Sequence, residues 1–248
     1  MTLPFDLSLV AGAYLAAVTL IAAFIRGYSG FGYPVLVIAA GAMVINPLLL
    51  IPMAVMGDLV LCVQHWRAAR PHVHWPTVLR LGIGTALGLL TGIWTLALMS
   101  EDIARVVIGV LVLLTSLLML SGWTLPGRAG PTATVGMGVV SGLVAPAGVA
   151  GPPAVMLVTA LGLSPLAFRA TLLAFFVALD IMTFAQFSLA GRVDRESLVA
   201  TALSVPLVML GSALGARLVV GVDPARFRRA TIAVLMLMAA IGLGKALS

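Results

Sequence analysis

The stretch SLVAGAYLAAVTLIAAFIRGYSGFGYPVLVIAAGAMVI, residues 8–45, decides the fold. Its first part, Ser8–Ile25, is uncharged and approaches the roughly 20 apolar residues that cross the hydrocarbon core of a bilayer. The string R-G-Y-S-G-F-G-Y-P, residues 26–34, then interrupts it with an arginine, three glycines and a proline. Apolar sequence resumes at Val35. A helix broken inside apolar sequence frees backbone N–H and C=O groups. Hydrocarbon tolerates that only where the break is buried in protein or faces a water-filled cavity. The stretch predicts a polytopic helical membrane protein with irregular backbone held inside it.

Composition agrees. The chain has 248 residues, 62% of them hydrophobic and 9% charged, with a mean hydropathy of +1.19. A soluble domain is about a quarter charged, and so few charges cannot cover a water-facing surface. A water-soluble enzyme, a nucleic-acid-binding domain and a disordered tail are excluded. The net charge of +6 comes from 14 Lys and Arg residues scattered at the ends of apolar runs, as membrane loops require. The single cysteine, Cys62, excludes an internal disulfide and a multi-cysteine metal site. The N-terminus lacks the basic n-region of a signal peptide, so Ser8–Ile25 is read as a retained first helix.

Apolar runs predict spans at 8–25, 33–45, 47–65, 78–99, 103–121, 133–147, 152–162, 165–190, 197–219 and 229–247. The runs at 33–45 and 152–162 are too short to cross alone and read as half-helices or broken continuations of the spans before them. The expectation is an all-α protein of about eight transmembrane helices with two interruptions. Ten elements, two of them re-entrant, is the other reading. Landmarks recur in order across the chain. Gly27-Tyr-Ser-Gly30 answers to Gly148-Val-Ala-Gly151, Asn46-Pro47 to Ser164-Pro165, and Asp58 to Asp180. Gly88-Leu-Leu-Thr-Gly92 answers to Gly211-Ser-Ala-Leu-Gly215, and the Glu101…Arg105 loop to Asp223…Arg226. This predicts two homologous halves, 1–121 and 132–248, joined by a Gly/Pro-rich linker at 122–131. Eight crossings place Arg67, Arg70, Arg80, Arg128, Arg192, Arg195 and Lys245 on one face. Arg26, Arg105, Arg169, Arg217, Arg226, Arg228 and Arg229 fall on the other.

Duplication with paired broken helices is the pattern of secondary transporters, whose site lies where the breaks meet. Glycines at the first break (Gly27, Gly30 and Gly32) allow N–H groups to face a ligand, and Ser29 adds a hydroxyl. Arg26 adds charge, which together suits a small oxyanion. The second break, Ala147-Gly148-Val149-Ala150-Gly151-Pro152-Pro153, repeats the glycines without the arginine. A packing kink is the plainer reading of both. Asn46-Pro47 and Ser164-Pro165 are sharp helix starts, either ordinary interfacial caps or N-termini aimed at the cavity. In Phe168-Arg169-Ala170-Thr171, Arg169 lies about 16 Å along the helix from Asp180, too far to pair. It is left for a substrate or another helix, with Thr171 beside it. A charge at the bilayer centre costs roughly 2.5–3.5 kcal/mol on insertion scales. Asp58 and Asp180 are therefore proton-coupling candidates, or partners for an arginine. The Gly84/Gly88/Gly92 ladder and Gly211/Gly215 read as close-packing faces. His72 and His74 read as a wet loop, and no metal site or cofactor is expected. Gly27-Tyr-Ser29-Gly30 fits the G-x-S-G string of rhomboid proteases, but only His65 comes near a membrane helix, and the repeat has Ala150 in place of Ser29. An enzyme is not expected.

At these residues the chain resembles the TauE/SafE family, the sulfite-exporter-like membrane transporters. The matching strings are R-G-Y-S-G-F-G-Y-P (26–34), S-G-L-V-A-P-A-G-V-A-G-P-P-A-V (141–155) and S-P-L-A-F-R-A-T-L (164–172). Pro146-Ala147 stands where many members carry more glycine. The resemblance implies an inner (plasma) membrane permease of two homologous halves. It implies export or uptake of sulfur-containing anions such as sulfite and organosulfonates such as sulfoacetate. The expected function is secondary transport of a small anion by alternating access, with Arg26, Gly27, Ser29, Gly30, Gly32, Gly148, Gly151, Pro152, Arg169 and Thr171 at the substrate. An anion channel is the alternative, with a membrane-embedded enzyme behind it. Expected partners are the anion, the bilayer and protons as coupling ion, with homo-oligomerisation left open and nucleic acid excluded.

Overall fold

The computed structural model describes residues 4–121 and 130–218. Most of the expected linker, the Asp223…Arg226 loop, the span at 229–247 and the basic residues Arg128, Arg226, Arg228, Arg229 and Lys245 lie outside the described residues. Within them the elements are α1 (Leu9–Ser29), α2 (Tyr33–Gly41), α3 (Pro47–Ala69), α4 (Trp75–Ala97) and α5 (Glu101–Leu120). They continue as α6 (Pro131–Val144), α7 (Gly151–Ala160), α8 (Pro165–Leu189) and α9 (Arg195–Leu218), with a 3-10 turn at Ala145–Ala147. No strand occurs among the described residues.

The helices begin where the sequence offers caps. Ser8 Oγ accepts from the Ala11 N–H at 3.2 Å, and Asp194 Oδ1 accepts from the Ser197 N–H at 2.7 Å. The two Asx/Ser-Pro starts resolve the same way. Asn46 Oδ1 accepts from Leu48 N–H at 2.9 Å, and Ser164 Oγ accepts from Ala167 N–H at 3.3 Å. Both are self-contained caps of α3 and α8.

Four helical stretches, Leu9–Ser29, Pro47–His72, Pro165–Leu189 and Arg195–Arg217, are long and apolar enough to cross a bilayer. Large apolar side chains face outward along α4, including Ile83, Leu87 and Trp94. Such a band is paired with lipid, not water. The chain is a multi-pass membrane protein.

Helix direction follows from contacts. α2 doubles back along α1: the Tyr14 hydroxyl donates to the Ala40 carbonyl at 3.0 Å, and Gly41 packs against Leu15. α2 is therefore a half-helix and no continuation of α1, the second of the two readings its short run allows. Two left-handed glycines, Gly30 (φ 86°) and Gly32 (φ 100°), bracket Phe31 and reverse the chain. α3 runs parallel to α1 and antiparallel to α8. α8 starts beside the α3–α4 turn, where the His74 N–H donates to Thr171 Oγ1 at 3.0 Å. At 1.5 Å per residue it ends roughly 35 Å away. Arg192 and Arg195 thus lie at the opposite end from Arg67 and Arg70, which corrects the shared face expected from eight crossings. The physical reason is the second hairpin: α6 and α7 leave the face of the α3–α4 turn and return to it before α8 starts, so five segments instead of four separate Arg70 from Arg192.

Glycines set the tightest packing. α4 and α6 run parallel, with Gly84 against Val135, Gly88 against Val139 and Gly92 against Leu143. α1 and α9 run parallel, with Gly27 against the Ser212 backbone, Gly211 against Leu20 and Gly215 against Phe24. Small residues let backbones approach where no hydrophobic effect drives association. Gly88→Val places methyls into the α6 backbone and should lower the thermal unfolding temperature in detergent markedly, at a cost of about 1–3 kcal/mol or more. Gly82→Ala, with nothing within 4 Å of the added carbon, should leave it unchanged. In sealed vesicles, Arg70→Cys and Arg195→Cys should react with an impermeant maleimide from opposite faces. Labelling of both from one face would contradict the return of α7 to the face that α6 leaves.

Candidate functional site

The two backbone breaks meet. A Cβ on Gly148 (φ 76°) would lie 3.0 Å from the Val35 N atom and 2.9 Å from Ile38 Cδ1. Only glycine at this position lets the breaks touch. α2 starts behind Gly32 and α7 behind Ala150, and neither start has a side-chain cap. Two helix N-termini, each carrying about half a positive charge, border one cavity of about 40 Å³. Gly32, Gly148, Gly151 and Pro152 line it, together with Asp58 of α3 and Asp180 of α8. The hydroxyl residues Thr115, Ser116 and Thr183 also line it. Sequence reading missed them, since a single hydroxyl in an apolar helix carries no spacing signal.

Next to this cavity lies a buried ion pair. Arg26 Nε donates to Asp58 Oδ1 at 2.7 Å and Nη2 to Asp58 Oδ2 at 3.3 Å. Nη2 also donates to Cys62 Sγ at 3.3 Å. The Phe176 ring faces the guanidinium, 4.9 Å from its carbon to the ring centroid, a cation–π contact. Arg26 and Asp58 are 5% and 2% exposed. A second carboxylate stands beside them: ligand atoms of Asp58, Cys62 and Asp180 lie within 4.8 Å of one another. Asp180 Oδ2 is buried without a hydrogen-bond partner. The donor set has the composition of a small cation site, but the Arg26 guanidinium already supplies the positive charge there.

On the other side of Arg26 is a larger cavity, about 210 Å³, walled by α1, α3, α8 and α9. Arg26, Gly27, Gly30 and Arg169 line it. Arg169 Nη2 donates to the carbonyls of Gly27 and Tyr28 at 3.2 and 3.4 Å, near the C-terminal end of α1. His65 and Ser212 complete the wall, with His65 Nε2 2.9 Å from Ser212 Oγ. Neither stood out in the sequence. His65 read as a residue near a helix end, and Ser212 sits inside a packing motif.

The expected site residues therefore separate. Gly32, Asp58, Gly148, Gly151, Pro152 and Asp180 border the cavity between the breaks. Arg26, Gly27, Gly30 and Arg169 border the other. Ser29 and Thr171 line neither. The Ser29 hydroxyl is held between the carbonyls of Ile25 and Phe31, at 2.8 and 2.7 Å, where it shapes the break. Thr171 ties α8 to the α3–α4 turn.

Apolar helices of bilayer length, two discontinuous helix pairs in contact and a buried charge cluster define the class of multi-pass membrane proteins with interrupted helices. The family described as sulfite exporter TauE/SafE matches residues 15–241, and the chain belongs to it. It is 27% identical over 181 residues to a Cupriavidus necator protein named "Probable sulfite/organosulfonate exporter TauE", covering 71% of this chain and 69% of that one. No solved structure matches.

Removing one partner of a buried pair leaves an uncompensated charge and costs about 3–5 kcal/mol, whereas an apolar replacement of both is often neutral. Arg26→Met should lower the unfolding temperature of the purified protein sharply. The double variant Arg26→Met/Asp58→Leu should recover most of the loss. Equal destabilisation in single and double variants would show that the pair does not act as a unit.

Proposed function

We propose that the protein is a secondary transporter, an exporter of a small anion, that works by alternating access around the cavity where the two breaks meet. The observation that carries this is the junction itself. Two helix N-termini without side-chain caps face one cavity, an arrangement that favours negative charge. The substrate proposed is a sulfur oxyanion or organosulfonate such as sulfite or sulfoacetate. Family membership and the printed name of the C. necator relative support that choice. The membrane proposed is the inner (plasma) membrane. No step calls for covalent chemistry or a cofactor.

The architecture proposed is two homologous halves, 1–121 and 132–248, with a linker at 122–131, each built on a re-entrant hairpin. The packing supports it: α1 pairs with α9 as α6 pairs with α4, and α3 meets its counterpart α8 across the centre. Crossing that centre in opposite directions, α3 and α8 suit halves of inverted topology, the arrangement that lets two repeats rock about a fixed site.

Coupling to protons follows from charge balance. Asp58 and Asp180 share one guanidinium, so a proton on Asp180 removes an unpaired buried charge. An ionised Asp180 and a bound anion also compete for the same two helix N-termini. The anion is therefore held best when Asp180 carries the proton. In its present form the cavity has room for about three water molecules at 10–15 Å³ each, so substrate occupancy requires it to widen.

The test is sulfite flux in proteoliposomes containing only the purified chain. Wild-type flux should saturate and respond to an imposed pH gradient. Asp180→Asn should abolish that response, and Gly148→Val should cut flux at least tenfold. Non-saturating flux indifferent to pH would indicate a channel, and absence of flux for sulfite and short sulfonates alike would overturn the reading.

A further inference from the structure

The cavity walled by α1, α3, α8 and α9 has properties that the transport site between the breaks does not use. We propose that it is a second anion-binding site, in series with the first and separated from it by the Arg26–Asp58 pair, which takes a small oxyanion such as sulfite or a short sulfonate. The inference rests on the anion-transport reading and specifies where an anion waits before it reaches the junction.

Size points here first. At about 210 Å³ this cavity is roughly five times the one between the breaks, at about 40 Å³. It is smaller than the roughly 300–1,000 Å³ pockets that take drug-sized ligands. A sulfur oxyanion fits the space.

Charge points the same way. Arg26, Arg169 and His65 all line it, and no carboxylate does among the described residues. The cavity between the breaks is the reverse, with two carboxylates and, among the described residues, no basic side chain on its wall. Among the described residues Arg169 is tethered through Nη2, by bonds of 3.2 and 3.4 Å to the carbonyls of Gly27 and Tyr28. An oxyanion would offer the guanidinium shorter, charge-assisted bonds. The Ser212 hydroxyl and His65 Nε2, 2.9 Å apart, add polar groups on the facing wall.

The partition between the two cavities gives the site its consequence. Arg26 lines one cavity and its partner Asp58 lines the other. Phe176, seated on the Arg26 guanidinium, also lines the cavity between the breaks. An anion in the larger cavity competes with Asp58 for Arg26. When Arg26 turns to the anion, Phe176 loses its cation and the partition loosens. The ion pair then acts as a gate that the substrate itself opens, and an empty cavity keeps it shut.

The test is equilibrium binding of radiolabelled sulfite to the purified full chain in detergent, with thermal unfolding as the check on folding. Wild-type protein should bind sulfite, and unlabelled methanesulfonate should displace it. Arg169→Gln should weaken binding at least tenfold. Arg169→Lys, which keeps the charge, should restore at least half of that loss on a logarithmic scale. His65→Gln should weaken binding about threefold or more. Should Arg169→Gln fail to fold, the lysine and His65→Gln variants carry the comparison. Wild-type sulfite affinity in both Arg169→Gln and His65→Gln, in a protein that still transports sulfite, would overturn this site and leave the transport reading standing. Absence of both binding and flux in the wild type would overturn the two together.

Discussion

A guanidinium and a carboxylate, Arg26 and Asp58, are buried together at the waist of the molecule, and much of the structure is arranged around them. Neither charge survives alone in a low-dielectric interior. Their union ties α1 to α3 close to the point where α1 breaks, with Phe176 of α8 against the guanidinium and Asp180 alongside. The pair also divides the interior. One of its members borders a cavity walled by carboxylates and helix N-termini, and the other borders a cavity walled by cations. In the transport cycle proposed above, substrate, proton and gate meet at this one set of contacts.

The glycines serve the same end by two routes. At Gly30, Gly32 and Gly148 the backbone takes left-handed conformations, which turn a helix back on itself and bring the two breaks into contact. At Gly27, Gly84, Gly88, Gly92, Gly211 and Gly215 the absent side chain lets parallel helices approach backbone to backbone. The outer pairs, α1 with α9 and α4 with α6, clamp around the crossing of α3 and α8. The closely packed glycine-lined pairs and the small junction between them are the parts that the proposed alternating access would move.

Much of this was legible in the residues. The helices lie where the apolar runs and the Asn46-Pro47 and Ser164-Pro165 starts place them. The paired breaks, the arginines Arg26 and Arg169 and the intramembrane carboxylates all stood out, because polar residues inside apolar runs are costly and therefore conspicuous. Family membership was legible in the same strings. Partnership was not. Arg26 and Asp58 lie far apart in sequence, and each was readable as a substrate ligand, a proton carrier or half of a pair. His65 and Ser212 had no local signal, since what distinguishes them is the cavity they face. Thr171 and Ser29 looked like ligands because they adjoin the motifs, yet their hydroxyls hold the backbone in place.

The sequence by itself determined a multi-pass helical membrane protein with two matching interruptions, because hydropathy, caps and glycine breaks act over neighbouring residues and can be read there. Only the tertiary structure decided that α2 turns back along α1, that the two ends of α8 reverse the expected sidedness, and that the candidate residues fall into two cavities of opposite character. Those outcomes depend on which helices touch. That is set by backbone contact at glycines and by charge pairing between segments distant in the chain, neither of which leaves a local trace.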